Sequence, residues 1–328
     1  MNAIFCSAGR RVELLRAFKA AYAELGLQGS VIALDVDFLA PALRVADRHY
    51  VVPRLNAPSF DHALLAICER EAPAVVFPLI DPDIPVLARL RDAMRARGAH
   101  LAGIVGDAVA ITEDKWKTRA WFQSLGLRTP ASWLPETRPA GIAYPVFVKP
   151  RRGSAGQHSY KVTDGAWLDA ILATVPEPII QEFMSTPEVT TDVVCDPEGN
   201  VLAVVSRRRL EVRSGEVSKG VTMRDERIEE ACCHIARALG ARGPITVQCF
   251  LTDDGPVFSE INARLGGGFP LGVAAGANSP KWLLARAAGM TIDVPPIGTY
   301  RTGVYMSRYD ESLILDSIAI DHGPRVSV

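Results

Sequence analysis

The chain has 328 residues, 48% apolar and 22% charged, with a net charge of −1. That is the composition of an ordinary globular protein, and the length suits two or three domains. The near-neutral balance offers no basic field to nucleic acid, no run of about 20 apolar residues is present to span a bilayer, and the opening MNAIFCSAGRR lacks the order of a signal peptide.

Along the chain, residues 3–7 (AIFCS) predict a short strand. A helix follows over 10–26, where Val12, Leu15, Phe18, Tyr22 and Leu25 recur at helical spacing. Strands at 30–37, 49–53 and 74–79 alternate with a short helix, a helix at 58–71 and one at 83–97. This order predicts a doubly wound parallel sheet ending near Gly106. The character then changes. A helix at 114–127 precedes strands at 144–150 and 159–162, which flank the loop RRGSAGQH; a helix at 165–174 and a strand at 178–183 follow. From residue 188 the pattern is antiparallel: a hairpin of 188–196 and 201–212 around PEGN, a helix at 226–240, and a second hairpin of 245–251 and 257–265 around TDDGP. The expected fold class is therefore α/β, with α+β character in the C-terminal part. The parallel domain occupies 1–110, a small mixed lid 111–182 and a larger antiparallel domain 183–328.

Six cysteines (Cys6, Cys68, Cys195, Cys232, Cys233 and Cys249) form no CxxC pair and read as small buried hydrophobes of a reducing compartment. The cytoplasm is the expected location. Six scattered histidines argue against zinc.

The segment FSEINARLGGG (258–268) is the most informative. Side chains two apart on a strand share a face, so Glu260, Asn262 and Arg264 stand in a row while Ser259, Ile261, Ala263 and Leu265 face a core. Three glycines then imply a sharp turn or a close approach. A turn centred near Asp254 places Gln248 opposite Glu260, with Asn262 one diagonal step away. Such a set of oxygen donors suits Mg²⁺, unless it is a plain surface ladder or a bulge shifts the register. Lys149 ends a strand ahead of a glycine loop whose N–H groups can cradle phosphate. Taken alone, Lys149 and Lys115 read as ordinary solvated lysines. The same PEGN arithmetic sets Glu188 against Arg208, either as an exposed ion pair or as a carboxylate for ribose hydroxyls.

The order of these features, Lys115, Lys149 with its glycine loop, QEF at 181–183, Glu188, Gln248 and EINAR at 260–264, resembles the ATP-grasp superfamily, and most of all its single-chain carbamoyl-phosphate-synthase-like branch. The resemblance implies that residues 1–110 are a pre-ATP-grasp domain, 111–182 the ATP-grasp lid and 183–328 its C-terminal subdomain. It implies that Lys115 and Lys149 contact the phosphates of ATP, joined by Ser154 of the loop. Glu182 and Phe183 would line the adenine pocket, and Glu188 would hold the ribose. Gln248, Glu260 and Asn262 would hold two Mg²⁺ ions, with Mn²⁺ able to substitute. Gln248 departs from the many members with a carboxylate there. Arg264 would face the transferred phosphoryl and, with Lys149, carry the catalysis. The implied activity joins a small-molecule carboxylate to an amine or ammonia through an acyl phosphate, releasing ADP and phosphate. Arg207, Arg209 and Lys219 are candidates for a substrate carboxylate, unless they are only an exposed basic strand edge. Gly267 and Gly268 would lie near the reacting carboxyl. Ser7 to Arg11, Asp35, Asp81 and Asp83 follow strand ends, where open α/β sheets meet ligands. No nucleic-acid or membrane partner is expected, and a homodimer is compatible with this reading. The rival readings are a non-catalytic or regulatory ATP-binding protein of the same fold, and a dinucleotide oxidoreductase. The latter is disfavoured because Arg10, Arg11 and Val12 follow Gly9 where GxGxxG would be required.

Overall fold

The computed structural model describes residues 1–153, 156–213 and 215–315. The first hundred residues run β1 (Asn2–Phe5), α1 (Val12–Leu25), β2 (Val31–Asp35), α2 (Pro41–Val45), β3 (Arg48–Val51), α3 (Phe60–Glu71), β4 (Pro73–Phe77), α4 (Asp83–Arg95) and β5 (His100–Leu101). The strands form a parallel sheet in the order β3-β2-β1-β4-β5. Its strands carry near-continuous apolar runs because both faces are covered. One face packs Ile4, Ile32, Leu34 and Val76 against α3 and α4, and the other packs Phe5, Ala33 and Phe77 against α1.

Two helices follow, α5 (Asp107–Glu113) and α6 (Lys115–Ser124). The sequence pattern predicts a helix only over the second. Asp114 separates the two: it is extended, and its carboxylate accepts from the Trp116 N–H to start α6. The short strand β6 (Ser132–Trp133) then joins β7 (Val146–Pro150), β8 (Tyr160–Val162), helix α7 (Gly165–Leu172) and β9 (Pro178–Glu182). These strands make a small antiparallel sheet in the order β6-β9-β7-β8, with its own core of Val146, Val148, Val162, Leu168 and Ile180.

The rest is built on a six-stranded antiparallel sheet. Its elements are β10 (Glu188–Cys195), β11 (Val201–Arg213), β12 (Glu216–Met223), α8 (Glu226–Leu239), β13 (Pro244–Thr252), β14 (Gly255–Asn262), α9 (Phe269–Ala274), α10 (Ser279–Ala287) and β15 (Tyr305–Ser307), with strand order β14-β13-β10-β11-β12-β15. Helix α8 covers one face through Ile228, Cys232, Ile235 and Leu239. On the other face, Val194, Leu202, Ala203 and Val205 share a core with α1, Phe269, Leu283 and Leu284. That shared core seats the parallel sheet on the six-stranded one. All six cysteines are free and buried. Among the described residues no helix is long and apolar enough to cross a membrane.

Two bulges decide which side chains meet. Gln248 does stand opposite Glu260, and Thr246 opposite Asn262. The turn leaves Thr252 opposite Gly255, and a bulge between Gln248 and Cys249 restores the pairing expected from a turn half a residue further on. The other bulge, between Val194 and Cys195, moves Val189 opposite Arg208. Glu188 therefore pairs with Arg209, at 2.6 Å, and not with Arg208.

The parallel domain also meets the large sheet through a backbone bridge. Gly103 and Arg242 exchange two hydrogen bonds of 2.9 Å each. Beside it Gly243 has φ +147°, and a Cβ there would lie 2.4 Å from the Ala102 carbonyl carbon. Gly243→Ala should therefore force the two sheets apart and cost about 1–3 kcal/mol, read as a lower urea midpoint with an unchanged m-value.

Candidate active site

A cavity of about 430 Å³ opens between the small sheet and the six-stranded sheet. Phe147 and Lys149 of β7 and Glu182 of β9 enter from the small sheet, with Phe183 just beyond. Glu188, Arg209, Gln248, Glu260 and Asn262 enter from the large sheet, and Lys115 from the start of α6. Arg264 closes one end. Residues separated by well over a hundred positions thus share one space because two antiparallel sheets face each other across it.

Charge is concentrated here. Lys115 donates to the Gly153 carbonyl at 2.8 Å and stands 3.8 Å from Glu260. Burial pushes the Lys149 ammonium below its ordinary value, and the nearby Lys115 adds to this; Glu260 and Glu188 compensate only in part. Burial alone would raise the Glu260 carboxyl, but Lys115, Lys149, Arg264 and Arg209 outweigh it and hold the group below the usual carboxylate range. The site therefore keeps an ionised carboxylate amid an excess of cations, an arrangement that favours a polyanion carrying a divalent metal. Among the described residues no three His, Cys, Asp or Glu side chains cluster as a metal site. Gln248, Glu260 and Asn262 supply one charge and neutral amide oxygens, which fits a hard cation that takes its remaining ligands from phosphate and water.

Asp81, in the loop after β4, braces this end of the cavity. It accepts from Arg264 at 3.2 Å. With its amide nitrogen towards Asp81, Asn262 donates to both carboxylate oxygens at 3.1 and 3.3 Å, which leaves its carbonyl oxygen for the cavity. Glu182 accepts from the Ala131 N–H at 3.1 Å, and Lys161 lies 4.2 Å over the Phe183 ring.

The substrate candidates separate. Arg209 lines the cavity beside Glu188. Arg207 does not: its side chain is 2% exposed and ion-paired to Asp192. Lys219 is exposed and paired with Glu211 at 2.7 Å, away from the cavities described. Gly267 lines a second cavity, and Gly268 caps α9 directly over Arg207. Ser154 lies outside the described residues.

Sequence reasoning missed Asp192 and Thr246. Thr246 Oγ1 sits 3.2 Å from Asp192 Oδ1 and 3.1 Å from the Arg264 carbonyl. Asp192 is four residues from Glu188 on the same strand face, and that alternation was the available signal. Above this group lie the glycines. A Cβ on Gly266 would be 2.7 Å from Asp192 Oδ1, and one on Gly268 would be 2.2 Å from Arg207 Nε. What these glycines approach is the buried pair beneath them.

Comparison with known proteins agrees with this geometry. Residues 3–102 match the family described as "PylC-like, N-terminal domain", and residues 174–309 match "ATP-grasp in the biosynthetic pathway with Ter operon". The chain is 27% identical to the formate-dependent phosphoribosylglycinamide formyltransferase of Chlorobaculum tepidum over 89% of this chain and 77% of that one. It is 30% identical to the vancomycin/teicoplanin A-type resistance protein VanA of Enterococcus faecium over 52% of this chain and 57% of that protein, so it spans less than two thirds of that relative. The biotin carboxylase domain of Hydrogenobacter thermophilus 2-oxoglutarate carboxylase, solved with MgADP, ADP and bicarbonate, superposes with a TM-score of 0.69 at 18% identity, covering 92% of this chain and 73% of that one. At that identity the likeness is one of fold. Two antiparallel sheets closing on a cavity of lysines and carboxylates, preceded by a parallel sheet, agree with the ATP-grasp match over residues 174–309. That match, together with these relatives, supports an ATP-grasp ligase.

The buried pair gives a direct test. Asp192→Ala leaves the Arg207 guanidinium buried without a counter-charge and should cost about 3–5 kcal/mol in chemical denaturation. Lys219→Ala, on the exposed edge, should stay within about 0.5 kcal/mol of the parent.

Proposed function

We propose that the protein joins a small-molecule carboxylate to an amine or ammonia, with ATP converting the carboxylate to an acyl phosphate and the nitrogen nucleophile then expelling phosphate. The observation that carries this reading is the meeting of Lys149 from the small sheet and Glu260 from the large one across a single cavity. A carboxylate is a poor electrophile in water. Phosphoryl transfer to it requires positioning and charge neutralisation more than covalent help from the protein.

In this reading Lys115 and Lys149 hold phosphate oxygens, as does Ser154. Glu182, Phe183 and the neighbouring backbone take the adenine, and Glu188, oriented by Arg209, takes the ribose hydroxyls. Gln248, Glu260 and Asn262 would hold magnesium, as two ions replaceable by Mn²⁺, and the metal would neutralise charge on the triphosphate. Arg264, fixed by Asp81, faces the transferred group. Segment 111–182 acts as the lid, hinged near 112 and 182, and excludes water that would hydrolyse the intermediate. The carbamoyl-phosphate-synthase-like branch, the domain limits at 110 and 182, the cytoplasmic location and a homodimer belong to the same proposal. The buried free cysteines support the location, and the dimeric state of the biotin carboxylase domain supports the dimer.

The test is ADP release, with Mg²⁺, across a panel of carboxylate and amine pairs. At least one pair should stimulate it, and Glu260→Gln should reduce that rate by at least about 10²-fold while the fold is retained. A non-catalytic ATP binder would release ADP with none of them.

Lys149 also predicts a pH dependence. Its free-state pKa is lowered, and a bound polyphosphate raises it, so the complex carries more proton than the free protein at alkaline pH. Affinity for ADP–Mg²⁺ should therefore fall as pH rises, beginning below the ordinary lysine value of 10.5. Titration of a fluorescent ADP analogue against pH checks this, and Lys149→Arg should move the fall upward.

A further inference from the structure

A second cavity, of about 230 Å³, lies on the other side of the glycine turn from the first. It sits where the β1–α1 loop of the parallel domain meets the start of β12 and the segment after β15, and Gly266 and Gly267 form part of its wall. Building on the ligase reading, we propose that Arg10 and Arg11 hold here a second anionic group of the substrate, a carboxylate or phosphate separate from the carboxyl group that reacts.

The charges of the cavity carry the argument. Five arginines line it, Arg10, Arg11, Arg16, Arg213 and Arg308, against Glu13, Glu216, Asp310 and Glu311. Arg16 pairs with Glu311 and Arg213 with Asp310 at the exposed rim. Inside, a single carboxylate serves two guanidiniums: Glu216 lies 3.1 Å from Arg11 and 3.0 Å from Arg308. Arg10 is exposed and acts on Glu216 through space. One positive charge is left over, which is what one bound anion would neutralise.

Arg11 shows the same deficit atom by atom. Its Nη1 is buried and has no hydrogen-bond partner, although an unpaired buried donor is costly. Burial lowers its pKa to about 10, and Arg264 and Arg308 push the same way against Glu216 and Asp81. Arg11 is also the N-cap of α1 and makes no side-chain cap there, so the first-turn N–H groups add to the attraction for an anion. Arg308 acts differently, donating to the Gly267 carbonyl and so fixing the wall. A Cβ on Gly267 would lie 2.7 Å from Arg11 Nη1, so the guanidinium is pressed against the turn that begins just after Arg264. A substrate gripped at Arg11 is thereby positioned relative to the first cavity.

The experiment uses the full chain saturated with a non-hydrolysable ATP analogue and Mg²⁺, so that the positions of all three phosphates in the nucleotide cavity are filled before anions are added. Thermal unfolding is followed on titration with inorganic phosphate and with glutarate. Glutaramide and matched sodium chloride are the neutral and ionic-strength controls. Phosphate or glutarate should raise the transition temperature saturably where the controls do not, and the stronger of the two identifies the group as phosphoryl or carboxylate. Arg10→Gln should raise the half-saturating concentration about tenfold, and Arg11→Gln should remove the effect. Because Arg11 also pairs with Glu216, Arg10→Gln, at an exposed position, decides the matter if Arg11→Gln does not fold. Equal protection of parent and Arg10→Gln, or none beyond chloride, overturns the proposal. Binding of a fluorescent ADP analogue is measured in parallel: its absence counts against the ligase reading, while its presence without an oxyanion effect counts against this inference alone.

Discussion

The buried pair of Arg207 and Asp192 is the constraint on which the cavity between the two antiparallel sheets depends. A guanidinium cannot be left alone in a low-dielectric interior, so Asp192, one diagonal step away on the neighbouring strand, pairs with it, and Thr246 turns its hydroxyl into the same group. With that layer in place, the chain above can pass only as backbone, and glycines occupy 266 and 268 for that reason. Thr246 also reaches the Arg264 carbonyl. The layer beneath therefore sets the height of the strand that presents Glu260, Asn262 and Arg264. The cost of burying a charge is offset by a fixed surface on which chemistry can be positioned.

Above that surface the balance is incomplete. Burial is the main cause of the lowered Lys149, with Lys115 adding to it, while Lys115, Lys149, Arg264 and Arg209 together hold Glu260 low against its own burial. In a closed pair each partner would be satisfied by the other. Here the carboxylate is over-compensated by four cations while burial leaves the lysine only partly compensated, a setting that a bound anion would suit. A polyphosphate provides that charge and a divalent cation brings the carboxylate back into use.

Much of this was legible in the sequence, for identifiable reasons. Alternating strands and helices with apolar runs fixed the parallel domain, because burial on both faces leaves no other pattern. The row Glu260, Asn262, Arg264 was legible because strand periodicity is two, whereas Gln248 meets Glu260 as expected only because a bulge beside it offsets a turn centred half a residue earlier. Glu188 was set one residue out because the bulge near Cys195 falls at Leu202, an ordinary apolar residue that announces nothing. The run Arg207, Arg208, Arg209 was opaque for a related reason. Three identical letters alternate across a sheet, so Arg207 is buried, Arg208 exposed and Arg209 on the cavity wall. Which arginine turns inward depends on where Asp192 sits, and that is a property of the assembled sheet.

The two cavities are joined by one turn of chain, and the parallel domain touches both sides of it. Asp81, after β4, holds Arg264 and Asn262 on the nucleotide side, and Arg11, after β1, presses on Gly267 on the other. Both residues follow C-terminal ends of adjacent parallel strands, which pair along their length. Any shift of the parallel domain against the six-stranded sheet would move these two contacts together. In the proposed reading, the parallel domain would thus set the distance between the carboxyl group that is phosphorylated and the far end of the substrate. If the substrate spans both cavities as proposed, its length would be measured by the seating of one sheet upon another, through the core shared by α1, α10 and the back of the six-stranded sheet.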